Sequence, residues 1–203
     1  MEDGAYWEWM GDMLEAAYRA VTNDGAMAVV TPMKQLREWT QVIDRSPFAE
    51  VSGSPIIWYR PNLVGFKASG FNHATYPIWV LEKEEGAHSL QTGGEIPNCA
   101  EVNSMNFVEA VSPQSNFEGG RHHPAQQPVR VYEKLVLKCS PLHGTVLDPF
   151  VGSGTAGVAA KKWRREFIGA DISEEYLETA RRRIKETTSE TWSKQETLAA
   201  VDN

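Results

Sequence analysis

The sequence predicts an α/β fold, a doubly wound sheet carrying helices on its faces, from three observations. Short apolar runs alternate with amphipathic helical stretches along most of the chain. A glycine-rich turn joins one of those runs directly to an alanine-rich helix, at Gly152, Gly154 and Gly157. Acids close two successive strands, Asp148 before the glycines and Asp171 about twenty residues past them.

The elements follow in chain order. Trp7, Met10, Leu14, Ala17, Tyr18 and Val21 recur at helical spacing, and Asn23-Asp24-Gly25 breaks that helix. Ala26 to Thr31 reads as a buried strand. Met33, Leu36, Trp39, Val42 and Ile43 share a second helix face, followed by a strand at Ile56 to Tyr59 and another at Tyr76 to Lys83. Core packing accounts for most of the aromatics in this half. Between residues 84 and 121 the pattern dissolves into Gly, Ser, Asn, Gln and Pro without a helix. Pro128 opens a helix on which Tyr132, Leu135, Val136 and Cys139 share a face, Pro141 ends it, and Gly144 is a further stop. Thr145 to Leu147 is a strand, Ala156 to Lys162 a helix, and Phe167 to Ala170 a second, parallel strand. Ser173 can cap the last helix, Glu174 and Glu175 suit its positive end, and Tyr176, Leu177, Ala180 and Ile184 form its buried stripe. The run Arg181-Arg182-Arg183 reads as a solvated face rather than a nucleic-acid contact. Residues 1–185 make one domain, and 186–203 a polar tail.

The glycines let the backbone turn sharply and approach a ligand, and the helix they open aims its N-terminus at that ligand. An acid at the position of Asp171 is where a doubly wound sheet holds a ribose hydroxyl. The spacing Gly152-x-Gly154-x-x-Gly157 also satisfies the dinucleotide fingerprint, but too little sequence follows Asp171 for a second mononucleotide-binding half. Asp148 at the strand's end would repel a pyrophosphate and favour a cation, such as the sulfonium or ammonium of S-adenosylmethionine. A P-loop is disfavoured because no Lys-Ser or Lys-Thr follows the glycines.

Asp148-Pro149-Phe150-Val151-Gly152-Ser153-Gly154-Thr155 resembles the cofactor motif of the DNA methyltransferases that modify the exocyclic amino group of adenine or cytosine. His123-Pro124-Ala125-Gln126-Gln127-Pro128 is similar to the segment that precedes the cofactor strand in that family, with Ala125 and Gln127 in place of its Thr and Lys. The stretch from Gly169 to Tyr176 also resembles the family, and Trp58-Tyr59-Arg60-Pro61-Asn62 resembles one of its scaffold strands. The resemblance implies a Rossmann-like domain of the S-adenosylmethionine-dependent type. Asp148, Pro149, Phe150, Gly152, Ser153, Gly154 and Thr155 would hold the cofactor with His123, Pro124 and Pro128, and Asp171 would take the ribose. It further implies double-stranded DNA as partner, with the target base flipped out.

The scaffold half precedes the cofactor half, as in the family's beta-type order, which places the catalytic motif ahead of the first helix. That motif, an Asp, Asn or Ser followed by Pro-Pro and an aromatic residue, occurs nowhere in the 203 residues. Ser46-Pro47-Phe48 is the nearest approximation, with one proline. No catalytic residue is therefore assigned. The expectation is a chain that lacks one or two strands of the sheet, including the neighbour of the strand ending at Asp148. A companion chain or upstream segment would supply them; a non-catalytic remnant or a cofactor- or partner-binding subunit is the alternative.

A net charge of −7 does not suggest a dedicated nucleic-acid binder, and the segment before Arg121, placed where such enzymes read their target, holds no Lys or Arg after Lys83. His122 and His123 lack accompanying ligands at metal spacing, so no metal is expected. Two cysteines give no disulfide framework, and neither a signal peptide nor a membrane span is evident, which points to the cytoplasm.

Overall fold

The computed structural model describes residues 3–51, 53–62, 73–83, 106–113 and 125–189. They fall into two compact units, one running from the first helix to the fifth strand and the other from the third helix to the fifth.

In the first unit, α1 (Asp3–Ala20) and α2 (Leu36–Arg45), the latter preceded by a 3₁₀ turn at Met33–Gln35, pack on a mixed sheet. Its strands are β1 (Ala26–Val30), β2 (Ala49–Glu50), β3 (Ile56–Tyr59), β4 (Thr75–Glu82) and β5 (Phe107–Glu109), in the order β1-β4-β3-β5, with β2 also on β4. The helical spacing read from the sequence places Met10 and Leu14 of α1 and Trp39 and Ile43 of α2 in the core, against Phe48, Trp79 and Leu81. Trp7 meets Trp39 edge-on at 5.8 Å, and Tyr18 meets Phe48 at 5.2 Å. β4 runs antiparallel to both β1 and β3, which needs no crossover helix between β3 and β4.

Two short strands were not read from the sequence. β5 lies within the stretch read as irregular, where it pairs in parallel with β3 from Ile57↔Phe107 to Tyr59↔Glu109. It is a three-residue strand with only Val108 buried, too short to carry a periodicity. β2 is shorter still. Ser46-Pro47-Phe48 is a helix stop: the Ser46 hydroxyl donates to the Ile43 carbonyl at 2.8 Å and accepts from Phe48 N–H at 3.3 Å, while Phe48 is buried in the core.

The second unit comprises α3 (Val129–Cys139), β6 (Thr145–Asp148), α4 (Thr155–Lys162), β7 (Glu166–Gly169) and α5 (Glu174–Glu186). β6 and β7 are parallel, from Thr145↔Glu166 to Asp148↔Gly169. One side of this ribbon is covered: Val146 packs with Val136 and Leu137 of α3 and with Ala159 and Trp163. On the other side Leu147 and its register partner Ile168 remain 53% and 59% exposed. Among the described residues no strand pairs with the second edge of β6. The left-handed turn before β6 falls on His143, not on Gly144. Among the described residues, no helix is long and apolar enough to cross a membrane.

Gly157 on α4 sets how closely that helix sits against its neighbours. A Cβ there would lie 2.3 Å from Ile184 Cδ1 and 2.8 Å from Phe167 Cε1. Gly157→Ala is expected to destabilise by about 1–3 kcal/mol through overpacking. Gly11→Ala, on α1 with nothing within 4 Å of its Cβ, should stabilise by about 0.5–1 kcal/mol. Denaturant unfolding of the two variants, compared with the parent chain, checks the opposite signs.

Candidate cofactor site

The carboxyl ends of β6 and β7 bring Asp148 and Asp171 to either side of the glycine loop. The loop takes its shape from positive φ at Gly152 (49°) and Gly154 (79°), a region that side chains rarely adopt. Gly154 N–H bonds the Val151 carbonyl at 2.8 Å and Val151 N–H the Ala170 carbonyl at 3.0 Å, so the turn is closed onto the segment after β7. Thr155, buried, opens α4.

Asp171 is the organising acid. Its Oδ2 accepts from Gly152 N–H at 2.7 Å and its Oδ1 from Ser173 N–H at 3.0 Å. Ser173 caps α5 as its sequence position suggested, its hydroxyl accepting from Tyr176 N–H at 3.4 Å. Asp148 accepts from Phe150 N–H at 2.9 Å. Burial raises the Asp148 pKa above the usual carboxylate range, the Phe150 hydrogen bond opposes that rise, and the charge of Asp171 adds to it. Phe150 and Ile172 stand exposed beside these acids, at 55% and 106% of full accessibility.

The segment ahead of α3 meets the loop through Gln127, whose carbonyl accepts from the Thr155 hydroxyl at 3.4 Å. Gln127 Oε1 accepts from the Tyr132 hydroxyl at 3.0 Å. Burial, and then the Asp148 charge, push the Tyr132 pKa upward, so the phenol stays protonated and donating. Pro128 is buried at the N-cap of α3. His123 and Pro124 lie outside the described residues.

Of the residues proposed from the sequence, Asp148 to Phe150 and Gly152 to Thr155 lie along one turn to which Asp171 is bonded, Ser153, Gly154 and Thr155 being buried, and Pro128 follows Gln127, which bonds Thr155. Three neighbours were missed. Ile172 carried a usable signal, an apolar residue between an acid and a helix cap, and it stands fully exposed. Tyr132 was read only as part of a helix stripe, and Arg183 only as part of a solvated run; neither role is visible in spacing alone. Among the described residues no group of His, Cys, Asp and Glu is arranged to hold a metal ion.

An acid-tipped strand, a glycine loop, a helix and a second acid-tipped parallel strand define the Rossmann-like α/β class. The chain superposes along its whole length on the PvuII DNA methyltransferase (cytosine-N4-specific), with a TM-score of 0.76 at 18% identity and 77% of that chain covered. It matches M1.HpyAVI, solved as its SAM complex, with a TM-score of 0.67 at 20% identity over 86% of this chain and 81% of that one. The fold is therefore that of the S-adenosylmethionine-dependent methyltransferases. The chain belongs to the N6/N4 DNA methylase family, whose family model matches residues 2–182. The type II methyltransferase M.HpaI of Haemophilus parainfluenzae is 27% identical over 188 residues, 88% of this chain and 59% of that protein. The type II methyltransferase M2.DpnII of Streptococcus pneumoniae is 48% identical over 134 residues, 64% of this chain and 50% of that protein. The chain thus spans about half the length of the curated relatives it matches.

The raised pKa of Asp148 fixes the sign of a pH effect. A folded-state value above the unfolded one means that the ionised carboxylate weakens the fold near neutrality, and that this penalty vanishes as pH falls through the folded value towards the unfolded one. Asp148→Asn, which keeps the acceptor for Phe150 N–H, should raise the thermal midpoint at about pH 7, with the gain shrinking as the medium is acidified. Melting curves across that range check this; a gain that is absent or independent of pH would contradict it.

Proposed function

We propose that this chain is the cofactor-binding and scaffold portion of an S-adenosylmethionine-dependent DNA methyltransferase acting on an exocyclic amino group, adenine N6 being the proposed acceptor and cytosine N4 the alternative. The observation that carries the reading is the pair Asp148 and Asp171 flanking a closed glycine loop with exposed apolar side chains at its mouth.

The residues fit a cationic nucleoside. Asp148, a carboxylate held from solvent at the end of β6, gains a counter-charge when a sulfonium or ammonium enters, which offsets the desolvation that raises its pKa. Asp171 uses both oxygens on backbone N–H groups, yet a carboxylate offers about four lone-pair sites, so each oxygen can also accept from a ribose hydroxyl. Phe150 and Ile172 offer apolar flanks for the methionine chain and the base ring respectively. When bound, this cofactor supplies an electrophilic methyl on its sulfonium sulfur. The residues of this chain would bind it and orient it at the carboxyl ends of β6 and β7.

Methyl transfer needs a positioned acceptor as well. The base must be flipped from the duplex, and its exocyclic amine is a weak nucleophile because the lone pair is delocalised into the ring. No Asp-Pro-Pro-aromatic tetrapeptide is present to accept from that amine. An upstream segment or companion chain supplying the motif together with a strand for the second edge of β6 is the completion we propose. The edge of β6 that no described strand pairs supports it, since an open edge leaves backbone N–H and C=O groups for a further strand, and exposed Leu147 and Ile168 leave apolar surface beside it. The same unpaired edge sustains the second reading, a cofactor-binding subunit or remnant that transfers nothing.

Labelled methyl transfer to unmethylated DNA separates these readings. The chain is expected to bind S-adenosylmethionine in calorimetry but to transfer methyl only when a segment carrying Asp-Pro-Pro-Tyr is supplied. Binding without transfer under either condition would favour the second reading. Transfer by the chain alone, lost in Asp148→Ala, would overturn the need for a companion; absence of binding would overturn the cofactor assignment. Hydrolysis of the product to N6-methyladenine or N4-methylcytosine identifies the acceptor.

A further inference from the structure

The turn from Gly152 to Gly154 is anchored residue by residue by α5 and the segment that leads into it. Gly152 offers its N–H to Asp171, and Gly154 lies so close to α5 that a Cβ would fall 2.7 Å from Ala180 Cβ and 2.9 Å from Ala180 Cα. Between them, the Ser153 carbonyl accepts from Nη1 of Arg183. The three arginines of α5 differ sharply: Arg181 is exposed and pairs with Glu174 at 2.5 Å, Arg182 is exposed, and Arg183 turns inward, half-buried. Arg183 lies one helical turn past Ala180, on the face that meets the loop. Its partial burial lowers the guanidinium pKa without threatening its charge.

Two glycines at positive φ carry little intrinsic preference for one conformation, so the loop's shape depends on outside anchors. We propose that Arg183 is a positioning residue for the cofactor loop, holding the Ser153 carbonyl towards α5 so that the turn from Gly152 to Gly154 is in its binding shape before a ligand arrives. A charged donor makes this bond stronger than a neutral one, and an anchored loop avoids an ordering cost on binding. The proposal rests on the S-adenosylmethionine reading above for its effect on affinity, and on geometry alone for its effect on the loop.

The test uses the full chain and the variants Arg183→Ala, Arg183→Lys and, as an exposed control, Arg181→Ala. In calorimetry Arg183→Ala should weaken S-adenosylmethionine binding by roughly ten- to a hundred-fold, the range for losing a charged hydrogen bond, with Arg183→Lys between it and the parent and Arg181→Ala unchanged. Millimolar ethylguanidinium should restore part of the affinity of Arg183→Ala and leave the parent and Arg181→Ala unaffected, which a loss of bulk packing would not permit. In the ligand-free chain, Arg183→Ala should speed hydrogen exchange at Gly152 and Gly154 N–H while leaving the amides of β6 as they were. Unchanged affinity with unchanged loop exchange overturns the proposal, as does a loss of affinity that ethylguanidinium does not restore while the fold melts as a whole. If the parent chain fails to bind S-adenosylmethionine yet loop exchange still responds to Arg183→Ala, the cofactor reading fails and the loop clamp stands. Should Arg183→Ala not fold, Arg183→Lys carries the same comparison.

Discussion

Everything at the carboxyl end of the parallel pair depends on the two-sided carboxylate of Asp171. One oxygen holds the glycine loop through Gly152 N–H, the other holds the entry to α5 through Ser173 N–H. The β6–α4 turn and the β7–α5 turn are separated by about one helix of sequence and are joined at this group. Closely packed glycines continue the joint inward: Gly154 against Ala180, then Gly157 against Ile184 and Phe167. Each contact needs a hydrogen atom where a side chain would otherwise be. The loop can therefore face a ligand on one side because α5 fills the other.

Much of this was legible in the sequence. Glycines at fixed spacing after an apolar run, acids at two strand ends, and Ser173 ahead of two glutamates are local signals whose chemistry needs no knowledge of the fold. The stripes of α1 and α2 likewise located Met10, Leu14, Trp39 and Ile43 in the core. What escaped is what only the fold supplies. The partner of Asp171 is nineteen residues away and is a backbone N–H, which has no sequence signature. Arg183 looks identical to Arg181 and Arg182 in a charge run, and only helical phase separates the inward residue from the solvated ones. β2 and β5 exist because β4 and β3 offer edges, not because two or three residues prefer to be extended.

The exposed apolar pair on the second unit connects structure to the proposed function. A parallel ribbon is ordinarily covered on both faces, and among the described residues α3 and α4 cover one while Leu147 and Ile168 stand exposed at the other. In the account proposed here, the edge of β6 that no described strand pairs ends at Asp148, beside the place where the acceptor nitrogen would be presented. Completion of the sheet and completion of the active site would then be a single event. The proposed division of labour follows: this chain would supply the cradle and the scaffold, and the companion segment the residues that hold the base.

The most direct measurement is the map of backbone amide chemical shifts of the full chain as S-adenosylmethionine is added. The account predicts that the shifts cluster at residues 148–155 and 171–173, at the ends of β6 and β7. Shifts centred elsewhere, or none at saturating ligand, would contradict it.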